Sequence, residues 1–140
     1  MMAASRRIKD SDLPSSPDCI RVLVVDDERA IADSLARILR HHGFETLSEY
    51  SAKGAAVAAQ KFKPDVLVTD VVMPGPSGID LAEWFSKAQP GCRVILTSAN
   101  LHHFDPSDLS FQPTQEITFL PKPVLVSDLI ELLDRKRTAA

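Results

Sequence analysis

Five side chains in this sequence lie at the ends of short, mostly apolar runs and have the chemistry of a phosphoryl site. Asp26, Asp27 and Asp70 supply carboxylates, while Ser98 and Lys122 supply hydrogen-bond donors. Three carboxylates that meet at one place repel each other unless a cation neutralises them, and hard oxygen ligands suit Mg²⁺. An aspartate such as Asp70 forms an acyl phosphate when a metal and donors stabilise charge on the transferring group.

The apolar runs are typical of buried strands, and amphipathic segments separate them. The predicted strands are residues 20–25, 44–50, 66–69, 93–97 and 117–120. The predicted helices are residues 28–42, 51–62, 79–88 and 126–137. The first helix has the clearest pattern, because Ile31, Leu35, Ile38 and Leu39 recur at helical spacing and Gly43 follows where the helix should end.

Strands that alternate with helices, with no tight hairpin turns between them, predict a doubly wound α/β fold. Its five strands form a parallel sheet with right-handed crossovers and helices on both faces. In such folds the active crevice lies at the carboxyl ends of the strands. The five chemically important side chains are therefore expected at one edge of the sheet.

Length, composition and charge fit one ordinary domain. The chain has 140 residues, of which 44% are hydrophobic and 25% charged, and its net charge is −3. This charge argues against a broad basic surface for direct DNA binding. Residues 1–18 show no apolar run, so we expect a flexible leader without membrane insertion, a cytoplasmic protein, and a domain over residues 19–140. Cys19 and Cys92 are expected to be reduced thiols.

Four motifs in the same order resemble the receiver domain of the bacterial two-component response-regulator family, of the single-domain, chemotaxis-regulator-like type. They are Val-Val-Asp-Asp-Glu at 24–28, Thr-Asp-Val-Val-Met-Pro-Gly-Pro-Ser-Gly at 69–78, Leu-Thr-Ser-Ala at 96–99 and Phe-Leu-Pro-Lys-Pro at 119–123. The resemblance covers about residues 20–137. It implies a flavodoxin-like sheet with strand order 2-1-3-4-5, which chemotaxis receivers are known to have.

The resemblance also implies a metal and an acceptor. Asp26, Asp27, Asp70 and the main-chain carbonyl of Val72 would bind Mg²⁺, and Asp70 would be the residue that is phosphorylated.

Two further roles follow from the resemblance. Ser98 and Lys122 would contact the phosphoryl oxygens. Phe119 would be the aromatic switch residue, turning inward when Ser98 moves toward the phosphate.

The sequence departs from the family pattern in two places. Residues 99–116 contain Pro106 and Pro113, so the fourth helix of the family is expected to be irregular or shortened and to begin near Asp105. Ser77 stands where the family commonly has an acidic residue, which is expected to change loop contacts without abolishing phosphoryl transfer.

The resemblance implies a phosphoacceptor that receives its phosphoryl group from a histidine kinase or a phosphotransfer protein. Because few residues follow Lys122, no output domain is expected, and the signal would pass to a downstream protein. Its only expected catalysis is self-directed phosphotransfer and autodephosphorylation.

Three alternatives remain at this stage. One is that the chain is a receiver-like scaffold that needs no phosphate. Another is that it is an aspartyl-phosphate phosphatase, although enzymes of that class typically have an Asp-x-Asp pattern after the first strand. Taken alone, Asp27 also fits the N-cap of the first helix.

Overall fold

The sequence folds into alternating strands and helices in the order predicted. The computed structural model describes residues 19–99 and 109–139, with side chains through residue 134. The strands are β1 Arg21–Val25, β2 Glu45–Glu49, β3 Val66–Asp70, β4 Arg93–Ser98 and β5 Ile117–Pro121. The helices are α1 Arg29–His41, α2 Ala52–Phe62, α3 Gly78–Ala88 and α4 Val126–Ala139. None of the helices in these ranges is long and apolar enough to cross a bilayer.

The five strands form one parallel sheet in the order β2-β1-β3-β4-β5, which confirms the predicted fold class and strand order. The register pairs Asp70 with Thr97 and Ser98 with Pro121. Parallel strands in this register end together, so their carboxyl ends form one edge. Pro121 lacks a backbone N–H, and it is tolerated because β5 is an edge strand of the sheet.

A hydrophobic core covers each face of the sheet, because successive side chains of the central strands point to opposite faces. One core lies beneath α2 and α3, and its largest fully buried side chain is Phe85. The other lies beneath α1 and α4, where Leu39, Leu129 and Leu133 are fully buried. The two layers fix the sheet and therefore the positions at which its strands end.

The connection between β4 and β5 is irregular where the structure describes it. Residues 109–116 form neither helix nor strand, and Phe111 packs against the core beneath α2 and α3. The Thr114 N–H donates to Ser86 Oγ of α3 at 3.0 Å, and Thr114 Oγ donates to the Ser86 carbonyl at 2.8 Å. The predicted helix start near Asp105 lies outside the described residues and stays a prediction.

The loop from β3 into α3 is closed by a glycine and a capping box. The Gly78 N–H donates to the Val71 carbonyl at 2.8 Å, and a Cβ atom at Gly78 would overlap the main-chain carbonyl of Asp70. Ser77 Oγ accepts from the Asp80 N–H, and the Asp80 carboxylate accepts from the Ser77 N–H. Ser77 thus has a local role, because it caps α3.

A polar cluster joins α1 to the edge strand β2. Asp33 accepts hydrogen bonds from Tyr50 Oη at 2.6 Å and Ser48 Oγ at 2.7 Å. The Arg29 guanidinium lies 4.2 Å from the centre of the Tyr50 ring. The hydrogen bonds from Tyr50 and Ser48 are the main reason that the pKa of Asp33 lies below its ordinary value.

Gly78→Ala should destabilise the protein, because the added methyl group forces the start of α3 away from the Asp70 carbonyl. We expect a loss of about 1–3 kcal/mol in the free energy of unfolding, measured by urea denaturation. Gly91→Ala is the matched control, since a Cβ there meets no atom within 4 Å. Equal stability of the two variants would contradict the close approach.

Tyr50→Phe should raise the pKa of Asp33 in a carboxyl titration followed by NMR, because one hydrogen bond to the charged form is lost. A folded-state pKa below the unfolded one stabilises the fold at neutral pH, and this contribution is lost as pH falls through the folded pKa. The variant should therefore lose less stability on acidification. Thr46→Val, which removes a β2 hydroxyl bonded to the Ala36 carbonyl, should leave the Asp33 pKa unchanged.

Candidate functional site

The ends of β1, β3 and β5 bring two carboxylates and an ammonium group together. Lys122 Nζ lies 3.1 Å from Asp26 Oδ2 and 3.1 Å from Asp70 Oδ2. Asp26 and Asp70 are buried, with 4% and 8% of their surface exposed. Buried carboxylates need a charged or hydrogen-bonding partner. Lys122 supplies it from a position more than fifty residues away in sequence from either aspartate.

Asp27 completes an acidic cluster at the same edge. One carboxylate oxygen from each of Asp26, Asp27 and Asp70 lies within 4.8 Å of the other two. Asp27 is exposed and is not the N-cap of α1, because Glu28 occupies that position without a side-chain cap. The Asp26 carboxylate accepts instead from the Glu28 N–H at 3.0 Å. The alternative reading of Asp27 as a helix cap is therefore wrong.

Charge and ligand type make this cluster suitable for a divalent cation. In the part of the chain that the structure describes, Lys122 is the cation that contacts this cluster, and it pairs with Asp26 and Asp70. With Asp27 the cluster has three carboxylates, so one ammonium group leaves it net negative. Its ligand atoms are hard carboxylate oxygens, which Mg²⁺ prefers. The residues thus fit the predicted metal.

The environment of Lys122 keeps its side chain cationic. Burial acts to lower the pKa of Lys122, but its hydrogen bonds with Asp70 and Asp26 outweigh burial, and the pKa lies above the ordinary lysine value. The ammonium group therefore balances part of the carboxylate charge.

The loop after Asp70 leaves the side chain of Val72 exposed to solvent. The Val71 N–H donates to the Thr97 carbonyl at 2.9 Å, which ties the start of the loop to β4. Val71 and Met73 are buried, whereas Val72 is 70% exposed. Gly75 has a φ of 79°, which a glycine accommodates without strain. Val72 therefore lies in a loop with fixed ends, two residues beyond Asp70.

Ser98 and Phe119 lie on β4 and β5, the last two strands of the sheet. Ser98 is the final residue of β4 and is buried, and its carbonyl accepts from the Lys122 N–H at 3.0 Å. Phe119 pairs with Leu96 in the sheet and is partly buried against the core beneath α2 and α3. The serine and the lysine predicted to act together are thus joined by a backbone hydrogen bond.

Sequence reasoning missed a mostly apolar groove that opens beside the acidic cluster. It has a volume of about 730 Å³ and runs between α1 and the connection from β5 to α4. Ile31 and Ile38 line it and are 43% and 37% exposed. The helical spacing of Ile31 and Ile38 in the sequence correctly predicted that they share an apolar face of α1. Only the neighbouring Leu39 of that pattern is fully buried, however.

Comparisons with known proteins agree with the fold. The family model described as the response regulator receiver domain matches residues 22–134. The chain is 36% identical over 80 residues to the probable transcriptional regulatory protein TcrX of Mycobacterium tuberculosis, covering 57% of this chain and 34% of that protein. It is 33% identical over 112 residues to a response regulator receiver protein of Anaeromyxobacter sp., covering 80% of this chain and 46% of that protein.

A solved structure gives the same result in three dimensions. The CheY-like response regulator receiver domain protein of Methanospirillum hungatei superposes with a TM-score of 0.75 at 26% identity, covering 86% of this chain and 95% of that one. The chain spans between 34% and 55% of the length of three curated relatives, namely the two proteins named above and the transcriptional regulatory protein PdtaR of Mycobacterium tuberculosis. From the motifs, the sheet and the match over residues 22–134, the chain belongs to the response regulator receiver domain family.

Proposed function

We propose that this protein is a phosphoacceptor in a two-component phosphorelay, with Asp70 as the acceptor. The observation that carries the proposal is the position of Lys122 Nζ, 3.1 Å from the carboxylates of both Asp26 and Asp70. An ammonium group beside a nucleophilic carboxylate can stabilise the negative charge that develops on the oxygens of the transferred phosphoryl group. The exposed Asp27 leaves one side of the cluster open to solvent and to a phosphodonor.

The transfer would proceed from a phosphohistidine of a histidine kinase or phosphotransfer partner. An Asp70 carboxylate oxygen attacks the phosphorus atom, the new O–P bond forms, and the P–N bond breaks with its electron pair returning to the imidazole nitrogen. Asp26, Asp27, Asp70 and the Val72 carbonyl would hold Mg²⁺, which when bound neutralises charge on the phosphoryl oxygens. Attack of water on the same phosphorus would break the bond between phosphorus and the Asp70 oxygen, release inorganic phosphate and return Asp70 to its free carboxylate.

Two donors of this chain would then stabilise the phosphorylated form. Lys122 exchanges its contact with the Asp70 carboxylate for a phosphoryl oxygen, and the Ser98 hydroxyl donates to another. Movement of Ser98 would be followed by inward rotation of Phe119, which already packs against the core. Phosphorylation would thereby change the surface near β5.

The output we propose is a change in protein–protein contact with a downstream partner, in the cytoplasm and without direct DNA binding. The net charge of −3 agrees with this choice, because DNA binding draws on clustered positive charge. The proposed enzymatic activity is limited to self-directed phosphotransfer and autodephosphorylation.

Incubation with acetyl phosphate and Mg²⁺ should add one phosphoryl group to the wild-type chain, detected by intact mass. Asp70→Asn should abolish the adduct, because an amide lacks the nucleophilic carboxylate. Asp128→Asn is the matched control, since Asp128 is an exposed aspartate in the first turn of α4. An adduct that persists in Asp70→Asn would refute the assignment, and turnover of many equivalents of phosphoester would indicate a phosphatase instead.

Mg²⁺ binding should depend on the acidic cluster even when no phosphodonor is present. We expect Asp26→Asn and Asp27→Asn each to weaken Mg²⁺ binding at least about tenfold in calorimetric titration, or about 1.4 kcal/mol. The reason is that each variant removes one anionic oxygen ligand. Asp128→Asn should bind Mg²⁺ like the wild type, and unchanged affinity in both cluster variants would place the metal elsewhere.

A further inference from the structure

Exposed apolar side chains concentrate at the groove beside the acidic cluster. Of the five large apolar side chains exposed in the described residues, Ile31, Ile38 and Leu125 lie at or next to this groove. Ile31 and Ile38 form part of the wall on α1, and Val124 and Val126, the neighbours of Leu125, line the other side. Grouped apolar side chains on a soluble protein mark a surface at which another molecule binds.

The wall on α1 has a pattern that can pair with a second copy of itself. Ile31 and Ile38 are seven residues, or about two turns, apart on one face, and the exposed Ser34 lies between them. When two copies of α1 lie antiparallel with their centres beside Ser34, Ile31 of each copy meets Ile38 of the other. Ser34 is small, so the two helices can approach closely at the centre of such a pair.

Charge changes sign along α1, which also favours an antiparallel pair. Asp27 and Glu28 are exposed at the end next to the acidic cluster, whereas Arg37, Arg40 and His41 are exposed toward the other end. An antiparallel pair sets each acidic end against a basic end, and it also opposes the two helix dipoles. Other charged side chains beside α1 are engaged within the chain: Asp33 with Tyr50, Arg29 over the Tyr50 ring, Glu45 with Arg21, and Lys122 with Asp26 and Asp70.

We propose that two copies of this chain associate through α1, with each α1 antiparallel to the other and lying across the groove of the other copy. Ile31 and Ile38 of both copies form the apolar centre, and Val124 and Leu125 border it. The contact is the same on both subunits, so it closes at two copies and does not build a fibre. One helix pair is at the small end of specific interfaces, so we expect a weak dimer with a dissociation constant of about 100 μM.

The dimer would also restrict access to the acceptor, a consequence that rests on the proposed function. Asp26 and Lys122 line the end of the same groove, and both contact the site of Asp70. A second copy lying across the groove would therefore compete with a phosphodonor protein for this surface. Competition is reciprocal, so binding of the phosphodonor protein would separate the two copies.

Sedimentation equilibrium of the full chain tests the association. The average mass should rise from 15.4 kDa toward twice this value between about 10 μM and about 1 mM protein. Ile38→Asp should weaken the dimer at least about tenfold, because it places a charge in an apolar contact. Val57→Asp is the matched control, since it makes a similar change at an exposed position of α2, and it should associate like the wild type. A mass of 15.4 kDa at every concentration would overturn the proposal, as would equal dissociation constants for the two variants.

Cysteine cross-linking tests the antiparallel register without introducing a charge. Ser34→Cys should form a disulfide-linked dimer under mild oxidation, because its two copies lie next to the two-fold axis. Ala30→Cys is the control, since Ala30 is also exposed on α1 but its two copies lie about 14 Å apart along the helices, beyond the reach of a disulfide. The wild type, with Cys19 and Cys92, gives the background. Equal cross-linking of the two variants would overturn this register.

NMR spectra recorded over the same concentrations show what occupies the groove. The amide signals of Ile31, Ile38 and Val124 should move as the protein concentration rises, while that of Val57 stays in place. Groove signals that do not change with concentration would overturn the second copy as the occupant.

These readouts need no phosphate, so they separate this inference from the proposed function. A dimer whose Asp70 accepts no phosphoryl group would retain the α1 pair and reject the phosphorelay role. A phosphorylated chain that stays monomeric would do the reverse.

Discussion

The structure depends on balancing negative charge at the carboxyl edge of a parallel sheet. Because β1 and β3 pair in parallel, their carboxyl ends lie side by side, and this brings Asp26 and Asp70 together despite their like charges. Hydrophobic burial on both faces provides the free energy that holds them there. Lys122 offsets part of the repulsion between the carboxylates, and the carboxylate charge that remains makes this edge suitable for a cation. The clustered carboxylates thus repel each other, which disfavours the fold, while the same negative charge is what suits them to a cation.

Sequence reasoning succeeded where one strong period dominates. The apolar runs of β1, β3 and β4 are buried on both faces, and every residue of β3 and β4 is buried. Because both faces of these strands are buried, polar residues do not interrupt the apolar runs. The positions of the strands, and so of their ends, can be predicted from the sequence. The family resemblance supplied the strand order, and strand order decides which strand ends are neighbours. The sequence could therefore predict that Asp26, Asp27 and Asp70 lie close together.

The same reasoning was weaker where tertiary contacts decide. An apolar side chain on a helix predicts a face but does not reveal whether another element covers it, which is why the exposed Ile31 and Ile38 were not recognised. The hydrogen bonds of Thr114 with Ser86 join residues 28 positions apart and leave no periodic sign in the sequence. From the sequence, Ser77 was treated only as a departure from the acidic residue that the family commonly has there, and it was not considered as a helix cap. The sign was available, because Asp80 follows three residues later and completes a capping box with Ser77.

The attachment of Thr114 to α3 has a mechanical consequence. Residues 109–116 lead directly into β5, so a displacement of β5 pulls on a segment anchored at Ser86. Ser86 lies in the last turns of α3, whose first residue closes the loop after Asp70. The loop after Asp70 and the edge strand β5 are therefore connected through α3 as well as through the sheet. A change in the position of α3 would therefore alter contacts at both places, with the loop after Asp70 at one end of the helix and with the segment before β5 at the other.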